Sequence, residues 1–348
     1  MKRAVKVILF NILAIALLLA LFEGTMYLLV HTPALLKHCP KGIRNSIGYL
    51  YNVGDRKVIQ FTPECAQYDP GLGYTLKPGH CVFSGAEFRN RYDINSLGLR
   101  DEEKALRQPE VIVAGDSYAM GWGVDQEETF ARVLGKKTGL KVLNAGVASY
   151  GTAREMLSLG RLETGRLKYL IVQYCENDFD ENREFLNQGN RLKTMSAEEY
   201  AGYRALNNEA KGYYPGKYLA LKIAKKRNEL RKPAAKKEAK EPAKTNRDDV
   251  DLFLNALMNG PRDLSQVQII VFDAVGKGDF DRPFIGKLAE RIRGGQYPAY
   301  IRNIIPLDIT KVITKEQYYV LDDHWRKAGH GAIAEALATI IQKAERSK

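Results

Sequence analysis

The decamer "LDDHWRKAGH", residues 321 to 330, sets two of the chain's five histidines beside two adjacent aspartates, eighteen residues before the C-terminus. An imidazole with a carboxylate close by can serve as a general base when a hydroxyl is within reach. The hydroxyl is weak as a nucleophile until that base takes its proton, and a third group must hold the base in the correct tautomer. Ser117, which closes the apolar run "VIVAGDS", has the right type for the nucleophile. His324 is then the base and Asp322 its orienter. The oxyanion needs donors already aimed at it, and the N–H groups of Ser117 and Ser149 with the side-chain amide of Asn177 are the candidates. His31, His38 and His80 fall in the N-terminal third, which leaves His324 and His330, and only His324 has an aspartate two residues before it. His330 reads as a structural residue at the start of the last helix. Taken singly, each piece has a plainer meaning: Gly-Asp-Ser is a good helix N-cap, and Asn-Asp is a common turn.

These residues must be brought together by the elements before them. From about residue 110, short β-branched runs ("VIVAGDS", "KVLNAGV", "YLIVQYC", "VQIIVFDA", "IRNIIPLDI") alternate with amphipathic helical patterns. That rhythm predicts an α/β fold, a three-layer doubly wound sheet of about five buried parallel strands. In such a sheet ligands bind past the carboxyl ends of the strands, where every candidate residue falls. Residues 105–348 are expected to form this α/β unit, with a basic insertion at about 183–250. Residues 31–104, rich in Gly, Pro, Tyr and Asn, read as an irregular lead-in with turns and short strands.

Before the lead-in, Lys2, Arg3 and Lys6 precede an apolar run from Val7 to Phe22 that continues past Glu23 to Val30. With Glu23 at the far interface, residues 1–30 are long enough for an uncleaved transmembrane anchor. The small-x-small site of a cleaved signal peptide is missing, because Leu, Phe and Glu follow Ala20. The basic flank should stay in the cytoplasm, which puts the remainder outside it. The net charge of +12 resembles a nucleic-acid signature, but Lys222 to Arg247 holds eleven Lys or Arg against three Glu and so carries eight of those charges. That stretch has almost no aromatic or branched residue to order it, and it reads as an exposed helix end and flexible arm. No nucleic-acid partner is expected. Cys39, Cys65 and Cys81 cluster after the anchor; in an oxidising compartment Cys65 and Cys81 are the best placed to pair. No Cys/His spacing suggests a metal site.

Four ordered blocks, "VIVAGDSYAMGWGV", "VLNAGVASYGT", "YCENDFDEN" and "LDDHWRKAGH", resemble the SGNH, or GDSL-type, hydrolase family. The segments "YDPGLGYTLKPG" and "YDINSLGLRDEE" resemble the lead-in of its membrane-anchored bacterial members, which implies a bacterial inner-membrane protein with this domain in the periplasm. The resemblance implies a flavodoxin-like sheet, functional roles for Ser117, Asn177, Asp322 and His324, and no metal or organic cofactor. Three positions depart from the family pattern: Ser149 and Cys175 each replace a usual Gly, and the acid stands two rather than three residues before the His, where Leu321 lies. The absence of Gly-x-Ser-x-Gly, with Ala119 two after Ser117, argues against the α/β-hydrolase elbow.

Three functions fit these residues. An esterase would remove acyl groups from an acylated carbohydrate or lipid of the cell envelope through an acyl-serine. An O-acyltransferase would pass the acyl group to an envelope polysaccharide, with an integral-membrane partner as donor. A non-catalytic binding module would keep the rim without the chemistry, although the complete residue set speaks against it.

Overall fold

The computed structural model describes residues 2–209, 211–231, 248–277 and 280–346. The C-terminal part of the basic run, residues 232–247, lies outside the described residues; its first part belongs to the helix Lys217–Arg231.

Two antiparallel hairpins come first: β1 (Ala66–Asp69) with β2 (Gly73–Leu76), and β3 (Gly79–Ser84) with β4 (Arg89–Ile94). The central sheet comprises β5 (Val111–Ala114), β6 (Val142–Asn144), β7 (Tyr169–Tyr174), β8 (Gln268–Asp273) and β9 (Ile305–Leu307), all parallel, in the order β6-β5-β7-β8-β9. Side-chain alternation along the strands feeds two cores. Ile112, Leu143, Leu170, Val172 and Val271 face the helices Thr152–Leu159, Asp249–Met258 and Phe284–Gly294. Val111, Val113, Ile171, Ile270 and Phe272 face the other side, against Phe130 and Leu134 of Phe130–Thr138 and Ile333, Leu337 and Ile341 of Lys327–Arg346. The expectation of five buried strands needs one correction. β9 is an edge strand and all three of its residues are only half-buried, because one side has no neighbour.

The lead-in packs on the serine turn. Cys65 and Cys81 form a disulfide joining the two hairpins, and they share a core with Phe83, Tyr92, Met120, Trp122 and Ala148. The N-terminal helix Lys2–His31 contains a segment, Arg3–His31, long and apolar enough to cross a membrane, with mean hydropathy 2.7 in its most apolar, fully exposed stretch. Its C-terminal end is different. Val30 is fully buried in a cluster with Leu36, Ile47, Leu50, Tyr51, Tyr218 and Leu321.

Candidate active site

Ser117 opens a short helix, Ser117–Met120, immediately past β5. Asp116 caps it by accepting the Tyr118 N–H at 2.9 Å, and the Ser117 N–H, first of the helix, has no intrahelical partner. Gln173 of β7 fixes the turn from beneath, its Oε1 accepting the N–H groups of both Asp116 and Ala119 at 3.0 Å. Gly115 has φ +156°, and a Cβ there would lie 2.5 Å from that same Oε1, so the turn requires glycine. Arg100, stacked 3.7 Å from the Tyr92 ring, donates to the carbonyls of Gly121 and Val124 and closes the turn on its far side.

The structure brings three of the sequence-derived residues into one line. The Ser117 hydroxyl is 2.6 Å from His324 Nε2, and His324 Nδ1 is 2.5 Å from Asp322 Oδ1. With Nδ1–H donated to the carboxylate, the Nε2 lone pair faces the serine. Asp322 also accepts the His324 backbone N–H at 3.1 Å and the Trp122 indole N–H at 3.1 Å. Burial alone would push its pKa up. The His324 ring and the Arg56 guanidinium outweigh burial and hold the carboxyl well below the usual carboxylate range. Asp323 is different: its side chain is 58% exposed, and its Oδ1 lies 3.4 Å from Nδ1, beyond the closer Asp322 oxygen. The imidazole is held between rings, stacked on Trp122 with centroids 5.0 Å apart and 4.6 Å from the Tyr118 ring.

Ser149 and Asn177 stand on the loops past β6 and β7, the two strands flanking β5, so they sit on either side of the serine turn. Both are exposed, and the Asn177 side chain makes no capping bond to the helix Asp178–Asn187 that it precedes. Ser149 has φ +61°, a left-handed conformation that explains why glycine is usual there. Its Oγ accepts a hydrogen bond from Gln60 at 3.0 Å. The two loops are tied together by Thr152 donating to Asp178 at 2.7 Å and by the Ala153 N–H donating to Asn182 at 3.0 Å. Burial, with Asp116 nearby, pushes the Asp178 carboxyl well above the usual range.

His330 stands apart from this line. It is buried against Phe130, whose N–H it accepts at Nδ1 over 3.2 Å, and burial pulls its pKa down to about 3, so the ring is neutral.

Sequence reasoning missed the residues that the lead-in contributes. Arg56 Nε lies 3.5 Å from Asp322 Oδ2, and Arg56 Nη2 lies 3.3 Å from Asp323 Oδ1. Nη2 is also 3.4 Å from His324 Nδ1; both are donors, so that contact is electrostatic and not a hydrogen bond. Glu87 accepts the N–H groups of Val320, Leu321 and Asp322 at 2.7, 2.7 and 3.1 Å and fixes the loop that carries the acid. Neither residue lies in a motif, and only the three-dimensional fold joins them to the rim. Among the described residues, Asp322, Asp323 and His324 form the one group of three whose ligand atoms are close enough to hold a metal.

Among solved structures, the chain is similar to a protein described as lipolytic and of the G-D-S-L family from Desulfitobacterium hafniense, at 12% identity and TM-score 0.35, covering 66% of this chain and 98% of that one. It is also similar to a carbohydrate esterase whose active site displays divergent catalytic and non-catalytic binding functions, at 12% identity and TM-score 0.36, covering 68% of this chain and 65% of that one. No family model matches the sequence, and no curated protein is similar to it. At these scores the likenesses carry no functional argument. Independently of them, the sheet has the flavodoxin-like doubly wound order, and Ser117 stands at the carboxyl end of its first strand, β5.

Proposed function

We propose that the protein is a serine-dependent ester hydrolase that deacylates an acylated carbohydrate or lipid of the cell envelope. The observation that carries this is the unbroken hydrogen-bonded line from Ser117 Oγ through His324 to Asp322. In the proposed reaction Ser117 Oγ attacks the ester carbonyl carbon while its proton passes to His324 Nε2. The carbonyl oxygen becomes an oxyanion, received by the N–H groups of Ser117 and Ser149 and the Asn177 amide. The ester C–O bond then breaks, and His324 returns the proton to the leaving alkoxide. Water attacks the acyl-serine with His324 again as base, releasing the acid and restoring the serine.

The apolar N-terminal helix favours a second reading, in which a sugar hydroxyl replaces water and an integral-membrane partner supplies the acyl group. In both readings the helix spans the inner membrane with Lys2, Arg3 and Lys6 inside and the site outside. The Cys65–Cys81 disulfide supports that placement, since such bonds persist in oxidising compartments.

The test uses the full chain in detergent. A fluorophosphonate probe should label the wild type and leave Ser117→Ala unlabelled; equal labelling of both refutes the serine mechanism. Turnover of p-nitrophenyl acetate in water alone supports hydrolysis, and turnover that requires an added glycan acceptor supports transfer.

A further inference from the structure

The insertion between β7 and β8 returns to the N-terminal helix and is anchored on it. Glu23, 8% exposed, accepts the N–H groups of Tyr218 and Leu219 at 3.0 and 3.3 Å. A carboxylate of the apolar helix thus caps the basic helix Lys217–Arg231, satisfying two of its unpaired amide donors and opposing its positive dipole end. Nearby, Tyr213 meets the Tyr27 ring edge-on at 5.0 Å, and the buried Lys217 pairs with Asp55 at 3.1 Å. The start of the basic helix is therefore fixed beside the residue at which the run Val7–Phe22 ends. From Arg3 to Phe22 a helix rises about 30 Å, the thickness of a bilayer's hydrocarbon core. That puts Glu23, and with it the first turn of the basic helix, at the outer interface.

The surface at this level has the composition of an interfacial segment. Tyr213 and Tyr214 are 50% and 51% exposed, Ile223 is 59% exposed, and Arg227 is exposed one turn further on. Besides the buried Lys217, residues 211–231 hold six Lys or Arg against one Glu. Half-exposed tyrosines suit the headgroup layer, and basic side chains are attracted to anionic phospholipid.

We infer that Tyr213, Tyr214 and the helix Lys217–Arg231 dock along the headgroups of the leaflet into which the anchor emerges, with anionic phospholipid as the ligand. This rests on reading the N-terminal helix as a membrane span. Docking at this level holds the site close above the bilayer, because Leu321, next to Asp322, shares a core with Val30 and Tyr218. It favours a membrane-borne ester over a distant polymer as the substrate.

The test places one reporter on the surface. Ile223→Trp in the full chain is reconstituted in vesicles of phosphatidylglycerol and brominated phosphatidylcholine. Trp122 and Trp325 are buried, so the wild-type chain supplies the baseline. The expected result is a loss of emission beyond that baseline, reduced when Lys222→Gln and Arg227→Gln are added or when phosphatidylglycerol is omitted. Emission at baseline from a chain that stays in the vesicles after a carbonate wash overturns the docking and leaves the anchor standing. Loss of the chain in that wash overturns the anchor reading, and the docking with it.

Discussion

Arg56, only twenty-five residues beyond the end of the apolar helix, lies 3.5 Å from Asp322, the carboxylate that orients His324. The contact makes the lead-in part of the candidate site. Arg56 does not reach the serine, so its role is to position the acid and stabilise its charge. Arg56→Met should lower kcat/KM by about ten- to a hundredfold, the order expected when a buried carboxylate loses a close ion-pair partner. Arg56 is one of the charges that hold the Asp322 carboxyl low, so its loss should move that carboxyl's ionisation, and with it the acid limb of the pH–rate profile, to higher pH; Arg56→Lys should restore part of both effects. A profile unchanged in position would reduce Arg56 to a packing residue.

The two adjacent aspartates should separate cleanly on substitution. Asp322 is buried and accepts three donors, while Asp323 is mostly exposed. Asp322→Asn presents an amide that stabilises the wrong tautomer of His324, and the cost in kcat should be on the order of 10⁴-fold. Asp323→Asn should remain within a few-fold of wild type. The reverse ranking in a steady-state assay would transfer the orienting role to Asp323.

The serine turn leaves no space behind it. A Cβ at Gly146 would lie 2.4 Å from the Met120 backbone nitrogen, which cannot rotate aside. Gly146→Ala should therefore displace the helix that carries Ser117 and reduce turnover by about a hundredfold, the effect expected of a misplacement near 1 Å. Ser149→Gly gives the opposite sign of strain: it relieves the left-handed backbone and should hold or raise Tm, provided the loss of the Gln60 hydrogen bond costs less than the relief. Melting curves and initial rates on both variants check the pair.

His330 links stability to pH. Its folded pKa, depressed to about 3, lies below that of an exposed histidine near 6.5, so the unfolded chain takes up a proton that the folded one refuses. Stability should fall as pH drops from 6.5 toward 3, at about 1.4 kcal/mol per unit at most. His330→Asn keeps an acceptor for the Phe130 N–H and does not titrate. Its Tm should change less between pH 7 and 4.5 than that of the wild type, and parallel curves would remove His330 as the cause.

Much of this was legible along the chain. The apolar runs at 111–114 and 169–172 have no polar interruption because both faces of those strands are covered, and this marked the parallel sheet. Ser117 and His324 could be paired because strand ends in such a sheet share one rim. The half-buried state of β9 was hidden, since an edge strand under one helix layer has the same apolar composition as a central one. Arg56, Glu87 and Gln173 were hidden for a different reason. Their partners lie 54 to 268 residues away along the chain, and no local pattern records a contact of that kind.

The Glu23 cap imposes an order on biogenesis. The helix bearing Glu23 is made first, and the amides it accepts are made 195 residues later. At synthesis rates of about 5–20 residues per second, the carboxylate waits on the order of ten to forty seconds before its partner is made. During that interval the N-terminal helix is an unfinished structural piece, and the late insertion helix completes it.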